Sequence, residues 1–361
     1  MQRPSVCLVV GTRPQLIKAA QLVEAHRGDD HGYDLSVVDT GQHYDANLAS
    51  SVTTGLEDRQ ILEPRADDRG RVGLDVMISV LERHLRAKEP DHVLTIGDTN
   101  STLATTLAAT ELEIGLTHIE AGLRSGDRGM PEERNRIVAD HLSDLLLAPS
   151  ESALRNLDSE GLTNRSTFTG DLSYDRLLAV SRGSKFSPRE RWGDPAVLLT
   201  LHRPSNLSAQ RLVWITELVR FIASRARVLF PIHPRTASVL GPNLAEAPGL
   251  QLVEPLTHSA TLEAIASADL VVTDSGGIQR EAFWLSRRCL TLRDQTEWLE
   301  TLEGGRNSLL MADTWETQIL DALAEPPLPP PPPCYGSGQA AQEILTSVNR
   351  HLFPEGIRNR G

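Results

Sequence analysis

Cysteine is scarce in this sequence, and long apolar runs are missing. Only three of the 361 residues are cysteine, and Cys7, Cys289 and Cys334 lie far apart. This spacing excludes a disulfide framework and a cysteine-based zinc motif, and it favours a reduced, cytoplasmic setting. No stretch of about 18 apolar residues offers a membrane span, and the first residues lead into a strand-like run without the features of a secretory signal. We therefore expect a soluble protein.

Positive charge is also limited. The formal net charge is −12, and only three of the 36 basic residues are lysine, which makes Lys18 conspicuous. An acidic chain without a long basic cluster is not expected to bind nucleic acid, because a phosphate backbone needs a basic face. A hydrophobic content of 40% and a length of 361 residues predict a globular protein of two domains.

Strand-like apolar runs alternate with helical patterns along the chain, which predicts parallel, doubly wound sheets with a site at their carboxyl edge. The first run, Val6–Val10, is followed by Gly11, Arg13 and Lys18 at the start of a helical pattern. Such a turn presents free N–H groups to an anion, and the two cations would add matching charge. A plain strand-to-helix turn is the alternative. The turn lacks the three glycines of the dinucleotide fingerprint, so no NAD cofactor is expected.

Carboxylates follow two later strand-like runs. Asp98 follows His92–Ile96, and Glu120 and Glu132 lie among arginines after Ile114–Ile119. Glycines and a proline delay the next helix until about Glu132, so these acids come from a loop and from a helix start. Acid–base catalysis is one interpretation. The other is structural, because acids are favoured in a first helical turn and Asp98, Asn100 or Ser101 would each cap a helix.

In the second half of the sequence, strand-like runs are again followed by polar residues, here histidine and arginine. His202 follows Val197–Leu201, and His233 and Arg235 follow Val228–Ile232. Histidines paired with arginines at strand ends suggest contacts to an anionic ligand, and their spacing does not predict a metal site. A hydrogen-bonded loop histidine is the alternative.

A glycine turn follows the run Leu270–Thr273. Ser275, Gly276 and Gly277 would bring backbone N–H groups against a phosphate, and Glu281 lies about one turn further, within reach of a ribose diol. A simple helix cap with two flexible glycines is the alternative. Cys289–Leu292 is predicted as the last strand, and 326–333 as a polyproline spacer.

We place the domain boundary near a linker predicted at Ser181–Pro195. This gives an N-terminal domain of residues 1–180, which carries the carboxylates, and a C-terminal domain of residues 181–361, whose last helix, Ala340–Leu352, is expected to cross back onto its neighbour.

Together these segments resemble the non-hydrolysing UDP-N-acetylglucosamine (UDP-GlcNAc) 2-epimerase family, including epimerases that act on UDP-2,3-diacetamido-uronic acids. The resemblance runs from about Val6 to Asn307, and several motifs carry it in this order: GTRPQLIK, TGQHYD, GDTNSTLA, HIEAGLRS, MPEERNR, the HR pair after Leu201, PIHPR and DSGGIQRE. It implies an α/β fold of two Rossmann-like domains facing across a cleft, the glycosyltransferase-B (GT-B) arrangement, in a homodimer. It further implies a UDP-sugar substrate, no cofactor and no metal.

The resemblance also implies a chemistry and a set of residues. UDP is eliminated across C1 and C2 to give a 2-acetamidoglucal and is then added back. Asp98, Glu120 and Glu132 are implied as the acid and base groups, and His202 as a group beside the diphosphate. The implied substrate contacts are Arg13, Lys18, Arg136, Ser275, Gly276, Gly277 and Glu281.

Two departures leave the substrate open. Many 2-epimerases have glutamate at the position of Gln15, and this glutamine is closer to the diacetamido-uronate branch. His258 and Leu262 replace aromatic residues often found in the corresponding loop. UDP-GlcNAc is the first expectation and the diacetamido-uronate the alternative. A GT-B glycosyltransferase and a non-enzymatic nucleotide-sugar-binding protein are the rival classes, and neither needs the carboxylate set.

Overall fold

The computed structural model describes residues 3–42, 55–62, 72–183, 192–203, 206, 208–232, 234–244 and 247–354. Contacts divide the chain into two compact units, of which the first comprises Met1–Arg176 with Pro333–Gly361 and the second comprises Leu177–Pro332. In the described part of the chain, no helix combines the length and the hydrophobicity needed to cross a bilayer.

Among the described residues, the first unit contains a parallel sheet of seven strands. Its strands are β1 Ser5–Val10, β2 Asp34–Asp39, β3 Gln60–Ile61, β4 His92–Ile96, β5 Gly115–Ile119, β6 Leu145–Ala148 and β7 Ser166–Phe168. Their spatial order is β3-β2-β1-β4-β5-β6-β7. The strand order reverses between β1 and β4, which are paired in parallel with Val9 opposite Thr95. In such sheets, ligands bind outside the carboxyl ends of the strands at this reversal.

Helices connect these strands. They are α1 Arg13–Gly28, α2 Leu74–Lys88, α3 Asn100–Glu111, α4 Pro131–Leu142 and α5 Glu151–Ser159. A further helix, α6 Leu172–Gly183, follows β7, and its residues from Leu177 onward belong to the second unit. Strands β1 and β4 are buried almost throughout, since their alternate residues face apolar clusters on both sides of the sheet. Continuous apolar sequence is the pattern that such doubly covered strands require.

In the described part of the second unit, six strands form a parallel sheet. Its strands are β8 Ala196–Thr200, β9 Arg227–Pro231, β10 Leu250–Val253, β11 Leu270–Thr273, β12 Arg288–Thr291 and β13 Asn307–Leu309. Their order, β10-β9-β8-β11-β12-β13, repeats the order of the first six strands of the other sheet. The connecting helices are α7 Ala209–Ala223, α8 Pro234–Leu244, α9 His258–Ser267, α10 Gly276–Trp284 and α11 Trp315–Ala324.

The C-terminal helix belongs to the first unit. This helix, α12, spans Ala340–Leu352, as the sequence predicted. Its residues Ala340, Ile344, Leu345 and Val348 lie in the same buried cluster as β1 and α1. The chain approaching it is fixed by a hydrogen bond from Asp171 N–H to the Tyr335 carbonyl (3.1 Å).

Two local predictions are wrong, and the start of a third segment differs. Helix α3 is capped by Thr99, whose hydroxyl accepts from Thr102 N–H, and not by Asp98, Asn100 or Ser101. The predicted linker at Ser181 begins inside α6, which continues to Gly183. Cys289–Leu292 is not the last strand, because β13 follows it and pairs with β12.

Candidate active site

The turn after β1 is held by Gln15. The side-chain oxygen of Gln15 accepts from the N–H groups of Gly11 (2.9 Å) and Thr12 (3.1 Å). Its amide nitrogen donates to the Ile96 carbonyl (2.6 Å) and to the Thr99 hydroxyl (3.0 Å). Gln15 is 3% exposed. One buried side chain therefore ties the turn after β1 to the turn after β4, on either side of the reversal in strand order.

Gly11 is required by this close approach. A Cβ atom at Gly11 would lie 2.0 Å from the Ser101 hydroxyl oxygen and 2.1 Å from the Thr40 hydroxyl oxygen. No shift of a few tenths of an ångström would relieve such contacts. The backbone of the turn consequently packs directly against the start of α3.

Glu120 and Lys18 form an ion pair. Lys18, on the first turns of α1, donates through Nζ to Glu120 Oε2, and the two side chains are 12% and 7% exposed. Glu120 directly follows β5 and has a φ of +69°, in the left-handed region. A residue other than glycine pays a conformational cost there, which the surrounding structure must offset. One of the three sequence-predicted acid–base carboxylates and a sequence-predicted substrate cation are thus brought together.

Asp98 and Arg136 form a second ion pair at the same sheet edge. Arg136 Nη2 donates to Asp98 Oδ2, and the Asp98 side chain is 30% exposed whereas that of Arg136 is almost completely buried. Asn135, one residue before Arg136 on α4, donates to the Asp98 carbonyl (3.0 Å). Two neighbouring side chains of α4 therefore fix the turn after β4.

The two acids at the start of α4 differ in environment. Glu133 is buried, and its carboxylate accepts from Ser125 N–H (2.9 Å), Gly126 N–H (2.8 Å) and Arg136 Nη1 (3.1 Å). It therefore shapes the glycine-containing loop that precedes α4. Glu132 is exposed in the first turn of the helix, where a carboxylate is favoured by the helix dipole and stays accessible to a ligand.

In the second unit, His202 is held by Asp274. The imidazole Nδ1 of His202 lies 2.8 Å from Asp274 Oδ1, and the histidine is 58% exposed whereas the aspartate is buried. Asp274 also accepts from Arg203 N–H (2.9 Å) and Asn206 Nδ2 (3.0 Å). Burial raises the pKa of this carboxyl, but the hydrogen bonds from His202, Asn206 and Arg203 outweigh it and leave the pKa below its ordinary value. The buried anion orients an exposed imidazole at the end of β8.

The turn after β11 begins α10. Ser275 is the N-cap residue, and its hydroxyl accepts from Ile278 N–H (3.4 Å). The geometry of a helix start leaves the N–H groups of Gly276 and Gly277 without intrahelical acceptors. A Cβ at Gly276 would lie 3.0 Å from Trp298 Nε1 and 3.2 Å from Glu297 Oε1. The predicted cap is thus present, and the same turn presents the N–H groups that an anion would use.

Glu281 is oriented by His258. Glu281 Oε1 lies 2.9 Å from His258 Nε2, and their side chains are 14% and 32% exposed. His258 is the first residue of α9, so two helices meet at this carboxylate.

The remaining predicted contacts are Arg13, His233 and Arg235. Arg13, at the first position of α1, is exposed. His233 lies outside the described residues, and Arg235 lies in α8 but its side chain is outside the described part. Sequence reasoning missed the roles of Gln15, Glu133, Asp274 and His258 as the groups that hold the predicted residues. Gln15, Glu133 and Asp274 lie within two residues of a predicted site residue, which was the available signal, whereas His258 has no such neighbour in the sequence.

The two-unit architecture has a solved counterpart. The crystal structure of the Methanocaldococcus jannaschii UDP-GlcNAc 2-epimerase in complex with UDP-GlcNAc and UDP matches with a TM-score of 0.77 and 30% identity, covering 95% of this chain and 99% of that chain. Together with the two parallel sheets, this match confirms the predicted α/β fold of GT-B type with two Rossmann-like domains.

Sequence comparisons identify the family. The model of the UDP-N-acetylglucosamine 2-epimerase family matches residues 26–349. A UDP-N-acetylglucosamine 2-epimerase homolog of Methanococcus maripaludis is 35% identical, with 89% of this chain and 92% of that protein covered. The UDP-2,3-diacetamido-2,3-dideoxy-D-glucuronate 2-epimerase of Pseudomonas aeruginosa is also 35% identical, with 94% and 98% covered. The chain belongs to the UDP-N-acetylglucosamine 2-epimerase family, whose members are isomerases, and the predicted resemblance is confirmed.

Proposed function

We propose that this enzyme inverts C2 of UDP-GlcNAc to give UDP-ManNAc. Support comes from its family membership and from the 30% identical relative whose crystal structure contains UDP-GlcNAc and UDP. The observation that carries the proposal is the pairing of two carboxylates with two cations, Glu120 with Lys18 and Asp98 with Arg136, at one edge of one sheet. Carboxylates can move the proton on C2, and cations can stabilise a departing diphosphate.

The proposed reaction has two halves. A carboxylate removes the C2 proton while the bond from C1 to the UDP oxygen breaks, which produces a 2-acetamidoglucal and free UDP. A second acid then protonates C2 from the opposite face as UDP adds back to C1. We assign the proton transfers to Asp98, Glu120 and Glu132 as a group.

The second unit supplies the contacts to UDP in this proposal. The N–H groups of Gly276 and Gly277 and the hydroxyl of Ser275 would bind phosphate oxygens at the start of α10. Glu281, oriented by His258, would accept from the ribose hydroxyls, and His202, oriented by Asp274, would donate to the diphosphate. Arg13, Arg136, His233 and Arg235 remain proposed substrate contacts.

The diacetamido-uronate is the second candidate substrate, because a relative of that name is 35% identical over 94% of this chain. Gln15, however, is weak evidence for the diacetamido-uronate as substrate. The amide of Gln15 is buried and bonded to backbone groups and threonines of its own unit. Its identity is therefore explained by packing between two turns and does not require a different sugar.

Parallel incubations distinguish the two candidates. Purified enzyme is given UDP-GlcNAc or UDP-2,3-diacetamido-2,3-dideoxyglucuronate, and the anomeric protons are followed by NMR. We expect conversion of UDP-GlcNAc to an equilibrium mixture with UDP-ManNAc without an acceptor sugar. An inert UDP-GlcNAc with efficient turnover of the uronate would assign the enzyme to the other branch. A homodimer and a cytoplasmic location remain predictions from the family resemblance.

A further inference from the structure

A buried histidine outside the proposed catalytic set contacts the backbone next to both carboxylates. His118, on β5, is completely buried. Its Nε2 lies 2.7 Å from the carbonyl oxygen of Gly97, the residue before Asp98. Its Nδ1 lies 2.6 Å from Asp140 Oδ1 on α4. His118 itself is two residues before Glu120, so one imidazole borders the turns that carry both acids.

Asp140 holds the other side of the Glu120 turn. Its Oδ2 accepts from the N–H of Gly122, two residues after Glu120, at 3.0 Å. Gly122 has a φ of +82°, and a Cβ there would lie 2.3 Å from the Ala153 carbonyl oxygen. The His118–Asp140 pair therefore clamps the backbone before and after Glu120, whose own φ of +69° is unfavourable for a residue with a side chain.

The hydrogen-bond partners of His118 define its charge. The Gly97 carbonyl can only accept, so Nε2 must carry a proton. Asp140 Oδ2 accepts from Arg124 Nη1 (2.7 Å) as well as from Gly122 N–H, which favours the ionised carboxylate. Burial raises the pKa of Asp140, but His118 and Arg124 outweigh it and hold the pKa below its ordinary value. An ionised Asp140 also only accepts, so Nδ1 must carry a proton too.

Charge balance agrees with this assignment. Arg124 is bonded through Nε and Nη2 to both carboxylate oxygens of Glu160, each at 2.7 Å. Glu160 also lies 3.2 Å from the half-exposed His141 Nε2. Along the series His118, Asp140, Arg124 and Glu160, each charge has neighbours of opposite sign when His118 is an imidazolium. A buried charge that is paired and fully hydrogen-bonded is tolerated, whereas removal of one partner is strongly destabilising.

We infer that His118 is a positioning residue whose two ring nitrogens both donate hydrogen bonds, and that together with Asp140 it sets the backbone geometry of the turns that present Asp98 and Glu120 to the substrate. It does not touch the sugar in this account, and it acts through Gly97 and Gly122. This inference rests on the proposed function for its effect on turnover, whereas the charge state of the imidazole is independent of it.

Nitrogen-15 NMR of histidine-labelled enzyme tests the charge directly. The His118 resonance is assigned by its loss in His118→Gln. We expect both ring nitrogens to be protonated at pH 7.5 in the wild type, and only Nε2 in Asp140→Asn, where the anion is gone. A neutral His118 in the wild-type enzyme would overturn the inference. The NMR measurement does not depend on turnover of UDP-GlcNAc, so it tests the inference separately from the proposed function.

Kinetics test the positioning role. His118→Gln and Asp140→Asn should lower kcat about a hundredfold, the scale expected when reacting groups are displaced by about 1 Å, while KM and the Kd for UDP change little. His84→Gln, a partly exposed histidine on α2, is the matched control and should keep wild-type turnover. Wild-type kcat in folded His118→Gln would overturn the role. Inactivity of the wild type itself would instead refute the proposed function.

Discussion

Arg136 of α4 is paired with Asp98 at the end of β4, so that a cation predicted to contact the diphosphate is bonded to a carboxylate predicted to move a proton. The same guanidinium reaches Glu133 at 3.1 Å, and Glu133 in turn holds the loop after Gly122. Helix α4 therefore couples the turn after β4 to the loop after β5. Carboxylate and cation positions at this edge depend on each other.

The three carboxylates should be individually required for turnover. Asp98→Asn, Glu120→Gln and Glu132→Gln remove a proton-transfer group while preserving shape, and each should lower kcat by about a hundredfold or more. UDP binding by calorimetry should stay close to that of the wild type. Glu111→Gln, an exposed acid at the far end of α3, is the control and should be fully active. Near-normal turnover in all three variants would make these acids structural.

The turn at the start of α10 should determine UDP affinity. Ser275→Ala and Glu281→Ala each remove a polar contact, and we expect UDP binding to weaken by about 1 to 3 kcal/mol. Calorimetry measures this, with the exposed Glu316→Ala as a control in the same unit. If Ser275→Ala lowered the free energy of unfolding and left UDP affinity unchanged, the serine would be a helix cap alone.

Several strands could be predicted from the sequence because parallel strands that are covered on both faces must be continuously apolar. His92–Ile96 and Leu270–Thr273 were predicted with their observed bounds. The short strands β7 and β13 were missed, since Ser166–Phe168 and Asn307–Leu309 contain few apolar residues. The cap Thr99 was missed because aspartate, asparagine, serine and threonine all cap helices.

Side-chain partners were much harder to predict than the elements. Glu132 and Glu133 are adjacent in sequence, yet one is exposed and the other buried, because successive helical positions point in different directions. Asp140 meets His118 only through the packing of α4 on β5. No local pattern specifies such a tertiary contact, so the groups that hold the predicted site residues became visible only in three dimensions.

Replacing Gln15 by glutamate tests whether this position selects the substrate. An ionised glutamate would accept from Gly11 and Thr12 but would face the Ile96 carbonyl, now 2.6 Å from the Gln15 amide nitrogen, without a proton to donate. We expect Gln15→Glu to lose about 1 to 3 kcal/mol of stability in denaturant unfolding. The exposed Gln342→Glu on α12 should lose almost none. A changed preference between the two UDP-sugars at unchanged stability would contradict the packing explanation.

His92 should make the enzyme less stable in acid. It is buried on β4, and burial together with the nearby His351 lowers its pKa from 6.5 to about 4. The unfolded chain therefore binds a proton below about pH 6.5 that the folded chain does not bind until about pH 4. The free energy of unfolding should fall by about 3 kcal/mol between these pH values.

The prediction for His92 is checked by comparing how the free energy of unfolding depends on pH in the wild type and in His92→Gln. Urea unfolding of His92→Gln should show a correspondingly smaller loss from pH 6.5 to pH 4, whatever its stability at neutral pH. In His351→Gln, removal of the neighbouring imidazole should weaken the pH dependence only partly. If the free energy of unfolding fell equally with pH in the wild type and in His92→Gln, the acid sensitivity would belong to other groups.

Exchange of the C2 proton with solvent is the most direct test of the proposed chemistry. Purified enzyme and UDP-GlcNAc are incubated in heavy water, and the C2 position of both epimers is followed by proton NMR and mass spectrometry. If carboxylates remove this proton and a second acid returns one from the other face, deuterium must appear at C2 of UDP-GlcNAc and UDP-ManNAc alike. Epimerisation with complete retention of the original proton would contradict the account.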